Sequence, residues 1–139
     1  MRHFLVPTLV LTLLACGDLP PGAQSRIEQT DGPEIVLQAG QEIQLRGTPL
    51  RIAFLRVIGD SRCPRDVVCV WAGNGAVELG LTLGKGPQQR FTLNTSVGAR
   101  EAVLADFRVR LVELRPEPVS SSPTPTEDYA VRLRLETAS

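Results

Sequence analysis

The chain has 139 residues, with fifteen basic and fifteen acidic side chains and a formal net charge of zero at pH 7. A chain of this length suits one domain with a modest core, and its balanced charge gives no reason to expect a nucleic acid or another polyanion as partner. The composition includes a single histidine, His3, and three cysteines, so the chemistry open to the protein depends on whether its first residues are retained.

The first sixteen residues form a pattern that is typical of a secretion signal. A positively charged start at Arg2 and His3 precedes an apolar run from Phe4 to Leu14, and the small residue Ala15 follows. The alternative, a transmembrane helix that stays in the chain, is disfavoured by its length. The apolar run would rise only about 16 Å as a helix, about half of a hydrocarbon core near 30 Å. We therefore expect residues 1–15 to be a cleaved signal peptide.

The quartet Leu13-Leu14-Ala15-Cys16 resembles the lipobox of bacterial lipoproteins. This resemblance implies that Cys16 receives a diacylglyceryl group, that the peptide bond before it is cut, and that the mature chain begins with a lipidated and N-acylated cysteine. Two or more acyl chains of palmitate length hold a protein firmly on a bilayer. The implied location is the bacterial cell envelope. Because Gly17 is not the aspartate that marks inner-membrane retention in some bacteria, the outer membrane is favoured over the inner membrane.

Loss of the leader would remove His3 and leave the mature chain without an imidazole. Ser-His-Asp and Cys-His catalysis and every histidine-containing metal site are then excluded. An enzyme would have to rely on carboxylates, on Lys85, on Tyr129 or on a hydroxyl group, and no carboxylate pair stands out in the sequence. We therefore predict no catalytic residue, no cofactor and no metal site.

The chain divides into three parts by composition. Residues 1–15 are the predicted signal peptide, residues 16–32 the lipidated N-terminus and a tether, and residues 33–139 a single β domain. The tether contains Pro20, Pro21 and Gly22 and has almost no apolar periodicity. If the tether is flexible, its root-mean-square end-to-end distance is about 20 to 25 Å.

Beyond residue 32 the apolar residues recur with a period of two, which indicates strands. Ile35 to Leu37 and Ile43/Leu45 flank the Ala39-Gly40 turn and predict a first hairpin. Further strands are predicted at Leu50/Ile52/Phe54, Val77/Leu79/Leu81/Leu83, Phe91/Leu93, Phe107/Val109/Leu111 and Tyr129/Val131/Leu133/Leu135. Residues 116–125 are too rich in Pro and Ser for a sheet, and we expect an exposed loop there. Seven or eight short strands predict an all-β antiparallel sandwich, with a small β-barrel as the alternative.

Residues 60–75 are the most distinctive segment of the predicted domain. Their Ser-Arg-Cys-Pro start and Cys-Val-Trp-Ala-Gly end resemble a segment of small secreted or lipid-anchored bacterial proteins of unassigned role, and this resemblance implies no activity. Because Cys16 is consumed by lipidation, Cys63 and Cys69 remain, and in an oxidising compartment we expect them to form a disulfide. A metal or redox pair is disfavoured, since the spacing matches neither kind of motif.

Two interpretations of this bridged segment stay open. A small ring would present Pro64, Arg65 and Asp66 with little conformational freedom, which favours recognition of a partner by a binding loop that also includes Arg62 and Trp71. Alternatively, the bridge only pins a long connection while Trp71, the only tryptophan, covers the end of the core. A third idea, that Asp60, Asp66 and Asn74 hold a hard cation, is less favoured than ion pairing and turn capping, because arginines lie within the same few residues.

A second candidate surface is a basic face formed by Arg108, Arg110, Arg132 and Arg134, which alternate with apolar residues on two predicted strands. Such a face could meet anionic headgroups or envelope polymers, or it could be a solvated sheet face with weak ion pairs. If the strands are neighbours, we expect the register to keep like charges from lying opposite one another, with Glu113 and Glu136 between them.

These features together predict a lipid-anchored cell-envelope protein whose domain is a non-enzymatic binding or scaffolding module. Its expected partners are the membrane, through the lipid on Cys16, and an unknown protein or envelope polymer. Two alternatives remain: a carboxylate-dependent hydrolase, and a protease inhibitor that presents Arg65 or Arg62 on the Cys63–Cys69 loop.

Overall fold

The computed structural model describes residues 34–137, which form eight strands and one short 3-10 helix. The strands are β1 (Glu34–Gln38), β2 (Glu42–Gln44), β3 (Leu50–Asp60), β4 (Gly75–Leu83), β5 (Gln89–Asn94), β6 (Glu101–Leu104), β7 (Phe107–Arg115) and β8 (Ala130–Thr137), and the 3-10 helix is Thr126–Asp128. The predicted signal peptide, 1–15, and the predicted lipidated tether, 16–32, lie outside the described residues. Within 34–137, no helix has the length and apolar character needed to cross a bilayer.

The eight strands form two antiparallel four-stranded sheets, with the orders β1-β8-β7-β6 and β2-β3-β4-β5. Their buried side chains merge into one core. Phe54, Leu79 and Leu81 come from one sheet, Leu111 and Leu133 from the other, and all five are fully buried. The prediction of an all-β sandwich is therefore confirmed.

The first predicted hairpin is wrong, because β1 and β2 belong to different sheets. β1 pairs with β8, whereas β2 pairs with β3. The turn at Ala39-Gly40 is a corner between the sheets: the Ala39 N–H donates to the Tyr129 carbonyl and the Gly40 N–H to the Phe54 carbonyl, both at 2.8 Å. Local turn chemistry is the same for a hairpin and a corner, so only these distant acceptors decide between them.

The strand β4 follows its predicted alternation on the core side, where Val77, Leu79 and Leu81 are completely buried. The opposite face of β4 is more buried than predicted. Thr82 is buried, and the Gln88 side chain lies where a side chain on Gly80 would be. One strand, β6, was not predicted at all, because only Ala102 of its four residues is buried.

The two ends of the sandwich carry different parts of the chain. Asp60 of β3 lies opposite Gly75 of β4, so the connection 61–74 leaves from one end. The predicted Pro/Ser loop, within the connection from β7 to β8, lies at this same end, because the Arg65 N–H donates to the Pro118 carbonyl. The strand β1 begins at Glu34, opposite Arg134 and away from that end. Glu34 lies four residues along β1 from Gln38, which pairs with Ala130 at the end that carries the connection 61–74.

Candidate binding loop

Residues 61–74, which we call the bridged loop, continue the β3–β4 ladder beyond the sheet. The Ser61 N–H donates to the Asn74 carbonyl at 2.8 Å, and the Cys63 N–H donates to the Ala72 carbonyl at 2.9 Å. Beyond these pairs, Cys63 and Cys69 form a disulfide with their Cα atoms 5.9 Å apart. The predicted disulfide is therefore seen, and it closes the far part of the loop.

Gly73 allows the two sides of the bridged loop to approach each other. Its φ is +70°, a left-handed conformation that favours glycine, and a Cβ placed there would lie 1.8 Å from the Ser61 carbonyl oxygen. No other residue fits both conditions, so the narrow base of the loop requires glycine at this position.

The base of the bridged loop is fixed by Arg62, whose guanidinium donates two hydrogen bonds to the Asp60 carboxylate. The same guanidinium donates to the carbonyls of Leu114 and Pro116, so it ties β3 to the end of β7. Tyr129 Oη donates to Asp60 Oδ2 at 3.1 Å. Burial raises the pKa of Asp60, but the hydrogen bonds and the charge of Arg62 outweigh it and lower the pKa below 3.8.

The outer part of the bridged loop packs on the Pro/Ser segment 116–125. The Arg65 N–H donates to the Pro118 carbonyl at 3.0 Å, and the Asp66 carboxylate accepts hydrogen bonds from the backbone N–H and the hydroxyl of Ser120. These bonds, from the hydroxyl first, lower the pKa of Asp66. The predicted exposed loop at 116–125 therefore also serves as a support for the bridged loop.

Asn74 connects the bridged loop to the turn between β5 and β6. Its Nδ2 donates to Asn94 Oδ1 at 2.8 Å, and its Oδ1 accepts from the N–H groups of Ser96 and Val97 at 3.2 and 3.3 Å. As a result, Val97 and Trp71 line the same shallow depression. This neighbour across the fold could not be found from the sequence.

Apolar side chains project from the far part of the bridged loop and from the adjoining turn. We call them the apolar tip: Val67, Val68, Val70, Trp71 and Val97, all exposed. Val68 is fully exposed, and Trp71 and Val70 are 82% and 89% exposed. The interpretation that Trp71 covers the end of the core is therefore wrong, because the core is filled by strand residues and the loop carries Trp71 away from it.

Exposed apolar residues are ordinary when scattered singly, but a contiguous group marks an interaction surface. Our sequence prediction of the loop included Arg62, Pro64, Arg65, Asp66 and Trp71 but not the valines. A signal was present, since four of the five residues from Val67 to Trp71 are valine or tryptophan within an otherwise polar connection. The surface that the loop exposes is therefore mainly apolar, whereas the sequence prediction emphasised its charged residues.

The polar groups that were considered for a cation are occupied by protein partners. Asp60 pairs with Arg62, Asp66 accepts from Ser120, and Asn74 holds the neighbouring turn. Across residues 34–137, no group of three or more His, Cys, Asp or Glu side chains is placed to hold a metal ion. The three residues thus serve to shape the loop.

The four arginines of the predicted basic face lie on β7 and β8, which are neighbours. Glutamates interleave as expected: Glu136 lies 3.8 Å from Arg108, and Glu113 lies 3.1 Å from Arg132. The expectation that like charges avoid each other is wrong at one position, where Arg110 lies directly opposite Arg134. Arg134 is instead compensated from β1 by Glu34, a residue that our sequence prediction missed.

Carboxyl groups that would act as general acids need a raised pKa. Among the described residues, every resolved shift of a carboxyl pKa is downward, and the affected groups are Glu34, Asp60, Asp66, Glu78 and Glu113. An arginine contributes to the lowered pKa of each carboxylate, although at Asp66 the hydrogen bonds from Ser120 are the larger cause. These groups are thus held as paired anions.

A protease inhibitor would need a free arginine on the loop. Arg62 is not available for this role, because its guanidinium is bonded to Asp60, Leu114 and Pro116. Arg65 is exposed, but the backbone turns here, with the Val67 N–H bonded to the Pro64 carbonyl.

Comparison of the chain with known protein families, with curated proteins and with solved structures found no match. Any functional proposal therefore has to start from the chemistry of the sandwich itself. Its most distinctive features are the bridged loop and the apolar tip that this loop carries.

Proposed function

We propose that this chain is a lipid-anchored cell-envelope protein whose β domain is a non-enzymatic binding module, with the apolar tip as its contact surface. The observation that carries the proposal is the exposure of Val68, Val70 and Trp71 on a loop that a disulfide and several hydrogen bonds immobilise. Apolar groups exposed in this way are stabilised when a partner removes them from water.

The immobilised loop also favours binding on entropic grounds. Ordering a flexible backbone costs about 1 to 2 kcal/mol for each residue that is fixed on association. Here the Cys63–Cys69 bridge, the Arg65 bond to Pro118 and the Asp66 bonds to Ser120 fix the backbone before any partner arrives. More of the apolar contact energy then remains for affinity.

The disulfide supports export of the domain. Disulfides persist in oxidising compartments and are rare in proteins of the reducing cytosol. The bridge between Cys63 and Cys69 agrees with secretion by the predicted signal peptide and with lipidation of the third cysteine, Cys16. We place the protein on the cell envelope, with the outer membrane as the favoured site where two membranes exist.

Photo-crosslinking in a bacterium that processes lipoproteins tests the proposal. A photoreactive amino acid is placed at Val68 or Val70 in the tip, and at the exposed Val103 on β6 as the matched control. We expect irradiation to give covalent adducts at both tip positions and not at Val103. Adducts at the tip that do not exceed those of the control would contradict a binding role for the loop.

A further inference from the structure

We propose that the partner of the apolar tip is a lipid surface, and that the tip inserts into the interfacial layer of the bilayer that holds the lipidated Cys16. This inference rests on the proposed function, because the anchor brings the loop to the membrane. It goes beyond that function by assigning a second, reversible membrane contact to Val68, Val70 and Trp71.

The side chains of the tip have the chemistry of membrane-interface residues. Tryptophan is enriched at membrane–water interfaces, where its apolar ring is buried and its N–H stays in contact with water. Valine contributes apolar surface without a polar atom. The segment Val67–Trp71 contains no charged residue. Its shape is also suitable, because a bilayer adapts to a protruding group of apolar side chains.

The charges nearest to the tip are compensated, so they do not oppose insertion. Arg62 is paired with Asp60 at 2.6 Å, and Arg65 and Asp66 are adjacent and of opposite sign. Together with Asp60 at its base, the bridged loop has no net charge, so it gains little from anionic headgroups and loses little at zwitterionic ones. Insertion is therefore expected to depend on apolar contact, and to be insensitive to salt and to the fraction of anionic lipid.

The length of chain before β1 allows the tip to reach the same membrane. The start of β1 lies four residues, about 14 Å of strand, from the end of the sandwich that carries the bridged loop. The residues between Cys16 and Glu34, if fully extended, cover about 60 Å. The domain can therefore turn its tip to the surface, and tethering keeps the local concentration of lipid high, so that weak insertion is sufficient.

The only tryptophan of the chain lies in the tip, and this makes a direct test available. The purified mature lipoprotein is reconstituted into phosphatidylcholine vesicles and the detergent is removed. The fluorescence emission of Trp71 is then compared between vesicles without brominated lipids and vesicles that contain them. We expect a shift to shorter wavelength and quenching that is stronger for bromines near the headgroup than for bromines at the acyl terminus. Both the wavelength shift and the quenching should be the same in about 0.5 M salt, which strongly screens surface charges.

Matched variants separate insertion from mere proximity. Val68→Asp and Val70→Asp change exposed positions and should each lower the ratio of inserted to free tips about tenfold or more. Val103→Asp makes the same chemical change on β6 and should leave Trp71 quenching unaltered. Equal quenching in Val68→Asp and in the parent protein would overturn the inference.

Different failures give different signals in this experiment. If the lipid anchor is wrong, the protein does not float with the vesicles, and the proposed function fails with it. If the protein floats but Trp71 is neither shifted nor quenched, the lipid inference fails. In that case a protein or polymer adduct at Val68 in the photo-crosslinking experiment would leave the proposed binding function standing.

Discussion

Arg62 holds Asp60 through two hydrogen bonds, 2.7 Å from Nε to Oδ1 and 2.6 Å from Nη2 to Oδ2, at the point where β3 leaves the sheet. Both side chains are largely withdrawn from water, with exposed fractions of 13% and 8%. The pair also connects the two sheets, because Arg62 bonds to the end of β7 and Asp60 to Tyr129, next to the start of β8.

Removal of Arg62 is expected to destabilise the domain strongly. Arg62→Ala leaves the Asp60 carboxylate withdrawn from water with only Tyr129 as a side-chain donor, and breaking a buried ion pair in this way costs about 3 kcal/mol. Urea unfolding at pH 7 measures the loss. Arg56→Ala is the matched control, since Arg56 pairs with Glu78 on the surface, and we expect a loss of less than about 1 kcal/mol. Equal losses in the two variants would contradict the structural role of Arg62.

The lowered pKa of Asp60 predicts a decrease of stability in acid. A carboxyl group whose pKa is lower in the folded state stabilises the fold above its unfolded pKa, and this contribution is lost as the pH falls through the folded value. Asp60 therefore contributes fully at pH 7, and this contribution begins to fall below its usual pKa of 3.8 and is lost as the pH passes through the lower pKa of the folded state. Asp60→Asn should be less stable than the parent at pH 7 and closer to it at pH 2. Thermal unfolding across this range provides the measurement.

Gly73→Ala tests the close approach at the base of the bridged loop. The new Cβ would overlap the Ser61 carbonyl oxygen, and the φ of +70° is unfavourable for alanine. Gly47→Ala is the control, because Gly47 has nearly the same φ, +72°, with no atom within 4 Å of the new Cβ. We expect a loss of about 1 to 2 kcal/mol for the control and a clearly larger one for Gly73→Ala, measured by chemical unfolding. Similar losses would show that only the backbone conformation matters at Gly73.

The sandwich could be predicted from the sequence because its strands are amphipathic with a period of two. Val77, Leu79 and Leu81 point to one face whatever strand lies beside them. The pairing of β1 was not predictable in this way. Ala39 and Gly40 form the same local turn in a hairpin and in a corner, and distant carbonyls determine which one forms.

The exposure of Trp71 could not be predicted from its residue type. Tryptophan is usually well buried, and the sequence contains no other aromatic residue near the loop to indicate otherwise. Trp71 is exposed because it lies on the connection 61–74, beyond the paired ends of β3 and β4, whereas the core is formed by Phe54 and the leucines of the strands. Likewise, Arg110 lies opposite Arg134 because the core positions of β7 and β8 set the register and the surface charges follow it.

Substitution of Cys16 tests the lipid anchor. Cys16→Ser should abolish incorporation of radiolabelled palmitate and leave an uncleaved leader, because the resemblance to a lipobox requires the cysteine sulfur. The double variant Cys63→Ser/Cys69→Ser keeps Cys16 and should incorporate the label at the level of the parent. Labelling of the Cys16→Ser variant would place the acyl group on another residue and remove the basis for the anchor.

Reduction of the disulfide is expected to loosen the bridged loop and leave the sandwich folded. The bridge closes a ring of seven residues, for which loop entropy predicts a stabilisation of about 2.4 kcal/mol. The core contains neither cysteine, so the strand signal in circular dichroism should persist after reduction. After reduction, the outer part of the loop is attached only through contacts such as the hydrogen bonds of Arg65 and Asp66 to the 116–125 segment. We expect amide hydrogen exchange of residues 63–71 to accelerate on reduction, while exchange in β3 and β4 stays slow. Unchanged exchange in the loop would show that the contacts with the 116–125 segment are sufficient to fix it without the bridge.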